Sequence, residues 1–207
     1  MKAHTKETQA KLTPAMSIDL LLEGNKRFVA KQPINRDYIE QVTDTASGQY
    51  PFATVLSCID SRIPTEIVFD QGIGDIFNAR IAGNFSNADI LGSLEFACKL
   101  AGSRIIMVMG HTSCGAVKGA CDHAELGNLT QMLAKIKPAV DGTTTGEGEE
   151  RNSGNLDFVN RVSTLNVKLT IEEILKNSSV LKEMSDAGEI QVVGAMYHVS
   201  SGKVKLI

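Results

Sequence analysis

Apolar residues along this chain fall into two arrangements, compact runs and helically spaced stripes. FATVLS (52–57) and RIIMVMG (104–110) are compact runs, the pattern of strands covered on both faces. IFNARIA (76–82) reads as a further strand, and EIQVVGAMYHV (189–199) with GKVKLI (202–207) as one or two closing strands turning at Ser201-Gly202. Helical spacing fills the intervals. Pro64 is placed to open a short helix through Ile67, Val68 and Phe69, with a turn at Gly72 and Gly74. Asn87 is placed to cap a helix ending near Gly102, with Ile90, Leu94, Ala97, Cys98 and Ala101 on one face. RIIMVMG runs into HTSCGAVKGA, where a helix is expected to begin near Cys114. A long helix from about Asn155 carries Phe158, Val162, Leu165 and Leu169 as a stripe. The first 45 or so residues read as a helical arm in which Ser17 caps a helix bearing Ile18, Leu21, Leu22, Phe28 and Val29, while 141–154 reads as a polar surface loop. With no repeat and no linker, strand–helix alternation predicts one α/β domain, its central, mainly parallel β-sheet flanked by helices.

Composition leaves that picture intact and removes some function classes. A chain of 207 residues, 43% hydrophobic and 22% charged, builds a core without disulfide staples. A net charge of −3 and no basic run argue against nucleic acid as a partner. No stretch approaches the roughly 18 apolar residues that span a bilayer, so no membrane partner is expected. The first residues have no apolar core ahead of a cleavage site, and a cytoplasmic location is the expectation. Four cysteines in a reducing compartment read as free thiols or metal ligands.

Two of those cysteines stand in unusual company. Cys58 follows FATVLS in C-I-D-S-R, and His111 and Cys114 follow RIIMVMG in H-T-S-C-G. Functional groups of parallel sheets gather just beyond the carboxyl ends of strands. Neighbouring strands lie about 4.8 Å apart, so the two loops can share one ion. Two thiolates and an imidazole suit zinc in tetrahedral geometry, and three protein ligands leave the fourth position to water, as in catalytic sites. Either motif alone is weak, because a lone Cys at a strand end is commonly a small core residue. Polar clusters after two buried strands are harder to ascribe to packing. Asp60 and Arg62 lie beside Cys58. Near a metal, Arg62 keeps Asp60 ionised, and the carboxylate then only accepts a hydrogen bond. Cys98, on the apolar stripe, and Cys121 read as core or near-surface thiols.

Together, C-I-D-S-R and H-T-S-C-G resemble the zinc motifs of the β-class carbonic anhydrases. The similarity runs from about Leu20 to Ala120 and takes in GNKRF, DQGIGDIFNARIAGN and SLEFA. It implies reversible hydration of carbon dioxide to bicarbonate and a proton by a zinc-bound hydroxide, with one Zn2+ per subunit on Cys58, His111 and Cys114. It assigns the Asp–Arg dyad to Asp60 and Arg62, and the substrate pocket to Gln49, Phe77, Ala82 and Phe96. That pocket lies at a dimer interface in the family, so a homodimer, often paired into a tetramer, is implied. Phe96 stands where plant-type members often have Tyr. A Trp found three residues before the first ligand in regulated members is Val55 here, which argues against their inhibitory bicarbonate pocket although Arg80 matches it. The form with water as fourth ligand is therefore expected, rather than one closed by Asp60. His123 and His198 are proton-shuttle candidates by chemistry only. Two other readings keep the same residues: hydrolysis of carbon disulfide, and a non-catalytic zinc-binding interaction protein.

Overall fold

The computed structural model describes residues 2–207. Five strands form one sheet in the order β2-β1-β3-β4-β5. These are β1 (Ala53–Ser57), β2 (Ile76–Arg80), β3 (Ile105–His111), β4 (Gln191–Tyr197) and β5 (Val204–Leu206). The first four run parallel, and β5 turns back antiparallel along β4. The expected α/β fold with a mainly parallel sheet is thus observed. Every residue of β1 and β3 is buried, because helices cover both faces. Val55, Ile105, Met107 and Met109 face one core layer, with Phe158 and Val162. Leu56, Ile106 and Val108 face the other, with Leu94, Val167 and Ile174.

The arm consists of three helices, α1 (Lys6–Ala10), α2 (Pro14–Val29) and α3 (Tyr38–Thr45). Ser17 is not the cap expected of it. Thr13 accepts from the backbone N–H of Met16 and Pro14 opens α2, so Ser17 lies buried inside the helix. The Thr-Pro pair supplies both a cap and a fixed first φ, and it starts the helix a turn earlier. Gly24 in α2 lies against α4 (Thr65–Val68) and the turn after it, and a Cβ there would sit 1.7 Å from the carbonyl oxygen of Phe69. Backbone cannot yield as a side chain does. Gly24→Ala is therefore expected to destabilise by about 3 kcal/mol, read as a fall in Tm on the order of 6–12 °C. An unchanged Tm would refute that close approach.

Asn87 caps α5 (Ala88–Glu95), as expected, and the chain continues through one π-helical turn, Phe96–Leu100. Cys114 precedes α6 (Gly115–Cys121). Two short helices, α7 (Gly127–Leu133) and α8 (Lys137–Gly142), follow, so the polar loop begins two residues later than expected. Asn155 caps α9 (Leu156–Asn177), the longest helix, which packs on β3 and β4, and α10 (Ser179–Asp186) packs beside it. Among the described residues no helix is long and apolar enough to cross a membrane.

Candidate metal centre

The register of the sheet assembles the site. Ser57 of β1 lies beside Met109 of β3, which brings Cys58 and His111 to the same carboxyl edge. Cys114 completes the group from the start of α6. The ligand atoms of Cys58, His111 and Cys114 all lie within 4.8 Å of one another, and all three side chains are buried. The two sulfurs are 4.0 Å apart.

His111 shows which of its nitrogens faces the group. Its Nδ1 lies 3.0 Å from the carbonyl oxygen of Thr112, so that nitrogen carries the proton and donates. Its Nε2 is fully buried and has no hydrogen-bond partner. Asp60 Oδ2 is 3.8 Å away, too far for a hydrogen bond. A buried polar atom left alone costs about 1–3 kcal/mol, and a cation placed among these donors removes that cost.

The sulfurs are tuned unequally. The Cys114 thiol beside it lowers Cys58, helped by the His111 ring and the backbone N–H of Gly83, 3.4 Å from Sγ. Cys58 in turn pushes Cys114 upward, and burial adds to the shift. Two adjacent buried thiolates repel, so without a cation the pair retains a proton. A divalent ion reverses that preference, which is how a thiolate–imidazole–thiolate set fits zinc. Burial instead pushes the Cys98 thiol up to about 12 and the Cys121 thiol up to about 11, and neither joins the group.

Asp60 and Arg62 are joined as a fork. Arg62 Nε donates to Oδ1 at 2.9 Å and Nη2 to Oδ2 at 2.7 Å, while the Arg62 backbone N–H donates to Oδ1 at 2.9 Å. The guanidinium holds the carboxyl well below the usual carboxylate range. Arg80, at the end of β2, donates to the carbonyl oxygens of Cys58 (2.9 Å) and Asp60 (2.7 Å). It therefore fastens the loop, and Val55 is a fully buried core residue.

The four expected pocket residues do not gather around this centre within one chain. Ala82 adjoins Gly83 and is half-buried there. Gln49 is exposed, on the segment leading into the amino end of β1, whereas Cys58 follows the carboxyl end. Phe77 and Phe96 stack edge to face, ring centroids 6.2 Å apart, and line a separate cavity of about 610 Å³ with Thr54, Asn78 and Ala97. His123 follows the end of α6 and His198 the end of β4, and neither belongs to the Cys–His–Cys group. Sequence reasoning missed Gly83 and Tyr197. The first sits in a turn at φ +82°, and the second lies beside His111 in the sheet register. Burial raises the Tyr197 phenol, with Arg62 and Asp60 near enough to act on it. Neither position carries a local signal, because both depend on the pairing of strands.

Fold and site define a class: an α/β protein with a Cys–His–Cys group able to hold a metal ion at the carboxyl edge of a parallel sheet. Comparison with known proteins narrows it. The family model described as carbonic anhydrase matches residues 53–204. The carbonic anhydrase of Mycolicibacterium smegmatis is 34% identical over 194 residues, covering 93% of this chain and 93% of that protein. CafA, a β-carbonic anhydrase of Aspergillus fumigatus, superposes with a TM-score of 0.69 at 27% identity, covering 92% of this chain and 90% of that one. A β-carbonic anhydrase of Sordaria macrospora, described as tetrameric, shares the fold at TM-score 0.69 and 22% identity, covering 93% of this chain and 94% of that one. The chain belongs to the β-carbonic anhydrase family.

Proposed function

We propose that the protein interconverts carbon dioxide and bicarbonate, using one zinc ion per subunit held by Cys58, His111 and Cys114. The carrying observation is the His111 ring: a buried Nε2 without a partner, in a group with two thiols 4.0 Å apart. Zinc supplies acidity to water, and so a nucleophile for carbon dioxide near neutral pH.

The chain's own residues do the rest. Cys58 and Cys114 release their protons as the cation is bound, and His111 offers Nε2 while the Thr112 carbonyl fixes its tautomer. Asp60, kept anionic by the Arg62 fork, accepts a hydrogen bond and offers none. It thereby orients the reacting water towards the substrate carbon. Ala82 adds an apolar wall beside Cys58. Gln49, Phe77 and Phe96 complete the pocket from a second copy, which makes the working form a homodimer, paired further into a tetramer like its relative from Sordaria macrospora. All four cysteines are free, which suits the reducing cytoplasm.

Stopped-flow hydration of carbon dioxide on metal-analysed protein tests the reading. One zinc per chain is expected, with activity that rises from about pH 6.5 to 9, since two thiolates offset part of the metal's charge and weaken its acidifying effect. Stoichiometric zinc with no hydration at any pH would overturn it.

A further inference from the structure

Long α9 runs past the centre without supplying a ligand, yet two of its asparagines reach the loops that do. Asn160 Oδ1 accepts from the backbone N–H of Ser113, at 2.9 Å. Ser113 separates His111 from Cys114 in the chain and adopts φ +57°, a left-handed conformation that non-glycine residues seldom take. Asn166, itself 3% exposed, donates from Nδ2 to the carbonyl oxygen of Gly83 at 2.7 Å. The N–H of Gly83 is the one that points at Cys58 Sγ. The turn containing it closes from Asn84 N–H to Ile81 carbonyl at 2.9 Å, and Asn166 fastens that turn from behind.

Each asparagine thus braces one half of the ligand set with a bond of opposite polarity. We infer that Asn160 and Asn166 are positioning residues of the metal centre, Asn160 as an acceptor for the His111–Cys114 loop and Asn166 as a donor for the turn that hydrogen-bonds Cys58. The inference rests on the reading that the centre binds zinc. Outer-shell partners of this kind set ligand geometry, and their loss typically weakens metal binding by about 10–100-fold. A hydrogen bond to a thiolate also stabilises the sulfur lone pair, so its loss lowers the energy of sulfur-to-metal charge transfer.

The test compares full-length wild type with Asn160→Asp, Asn160→Leu and Asn166→Leu, each checked for folding by circular dichroism in the metal-free state. Zinc release into a chromogenic chelator and the absorption spectrum of the cobalt-loaded protein are the readouts. Asn160→Leu is expected to release zinc about 10–100-fold faster. Asn160→Asp keeps the acceptor and should restore release to within about threefold of wild type. Asn166→Leu should also release faster and move the thiolate–cobalt band to longer wavelength. Should Asn166→Leu not fold, the Asn160 pair decides the matter. Folded leucine variants that release zinc like wild type, or an Asn160→Asp as defective as Asn160→Leu, overturn the inference. Wild type that binds no zinc overturns the metal reading itself, and this inference with it.

Discussion

Replacing His111 by alanine is expected to abolish stoichiometric zinc and, with it, hydration of carbon dioxide. The imidazole is fully buried, and its Nε2 is the one nitrogen donor in the group. Structural zinc sites bind with about 10–16 kcal/mol, so one ligand's share is on the order of 3 kcal/mol or more. That is at least a hundredfold in affinity. The vacated space leaves two thiols that retain a proton between them, which weakens the remaining site further. Metal analysis after dialysis reads the first effect and stopped-flow the second. Cys121→Ser is the control, since Cys121 lies outside the group, and it should keep both zinc and activity. A His111→Ala protein holding one zinc per chain would contradict the assignment of the ligands.

Asp60→Asn is expected to separate binding from turnover. The substitution preserves shape and leaves all three ligands in place. It removes the negative charge, and it presents an amide that donates as well as accepts. The Arg62 fork loses its anionic partner, and nothing then dictates which way the reacting water is turned. Loss of such an orienting partner costs on the order of a hundredfold in kcat/KM. Zinc content should stay stoichiometric, because the carboxylate is 3.8 Å from the His111 Nε2 and is bound to Arg62. Activity within about threefold of wild type would show that Asp60 serves the Arg62 pairing alone.

The fold was legible where local pattern and tertiary environment agree. FATVLS and RIIMVMG are mostly apolar, without alternation, because both faces of β1 and β3 are covered, and Asn87 and Asn155 announce their helices by capping them. Ser17 misled because Thr13-Pro14, a turn earlier, satisfies the helix start better. The helices α7 and α8 are seven and six residues long, too short to show a helical stripe, and they owe their form to packing, α7 on α6 and α8 on α6 and α9. Within the site, Cys58, Asp60, Arg62, His111 and Cys114 could be read because each lies at or just beyond the end of a recognisable strand. Gly83, Asn160 and Asn166 could not, since one backbone N–H and two helix-borne amides acquire meaning only once distant segments meet. Gln49, Phe77 and Phe96 raise a different difficulty: a motif marks positions without saying where the fold places them, and here they lie away from the Cys–His–Cys group.

Phe77 stands on β2, an edge strand whose five residues pair with β1 on one side only among the described residues. Its inner backbone completes the sheet, its last residue, Arg80, ties down the loop bearing Cys58, and Phe77 opens on the groove shared with Phe96. Where that rim needs a second copy to become part of a working pocket, catalysis obeys mass action. Specific activity then falls on dilution, with its midpoint at the concentration where the assembly comes apart, while zinc content per chain stays constant. The protein's output would therefore depend on its own abundance more steeply than in proportion.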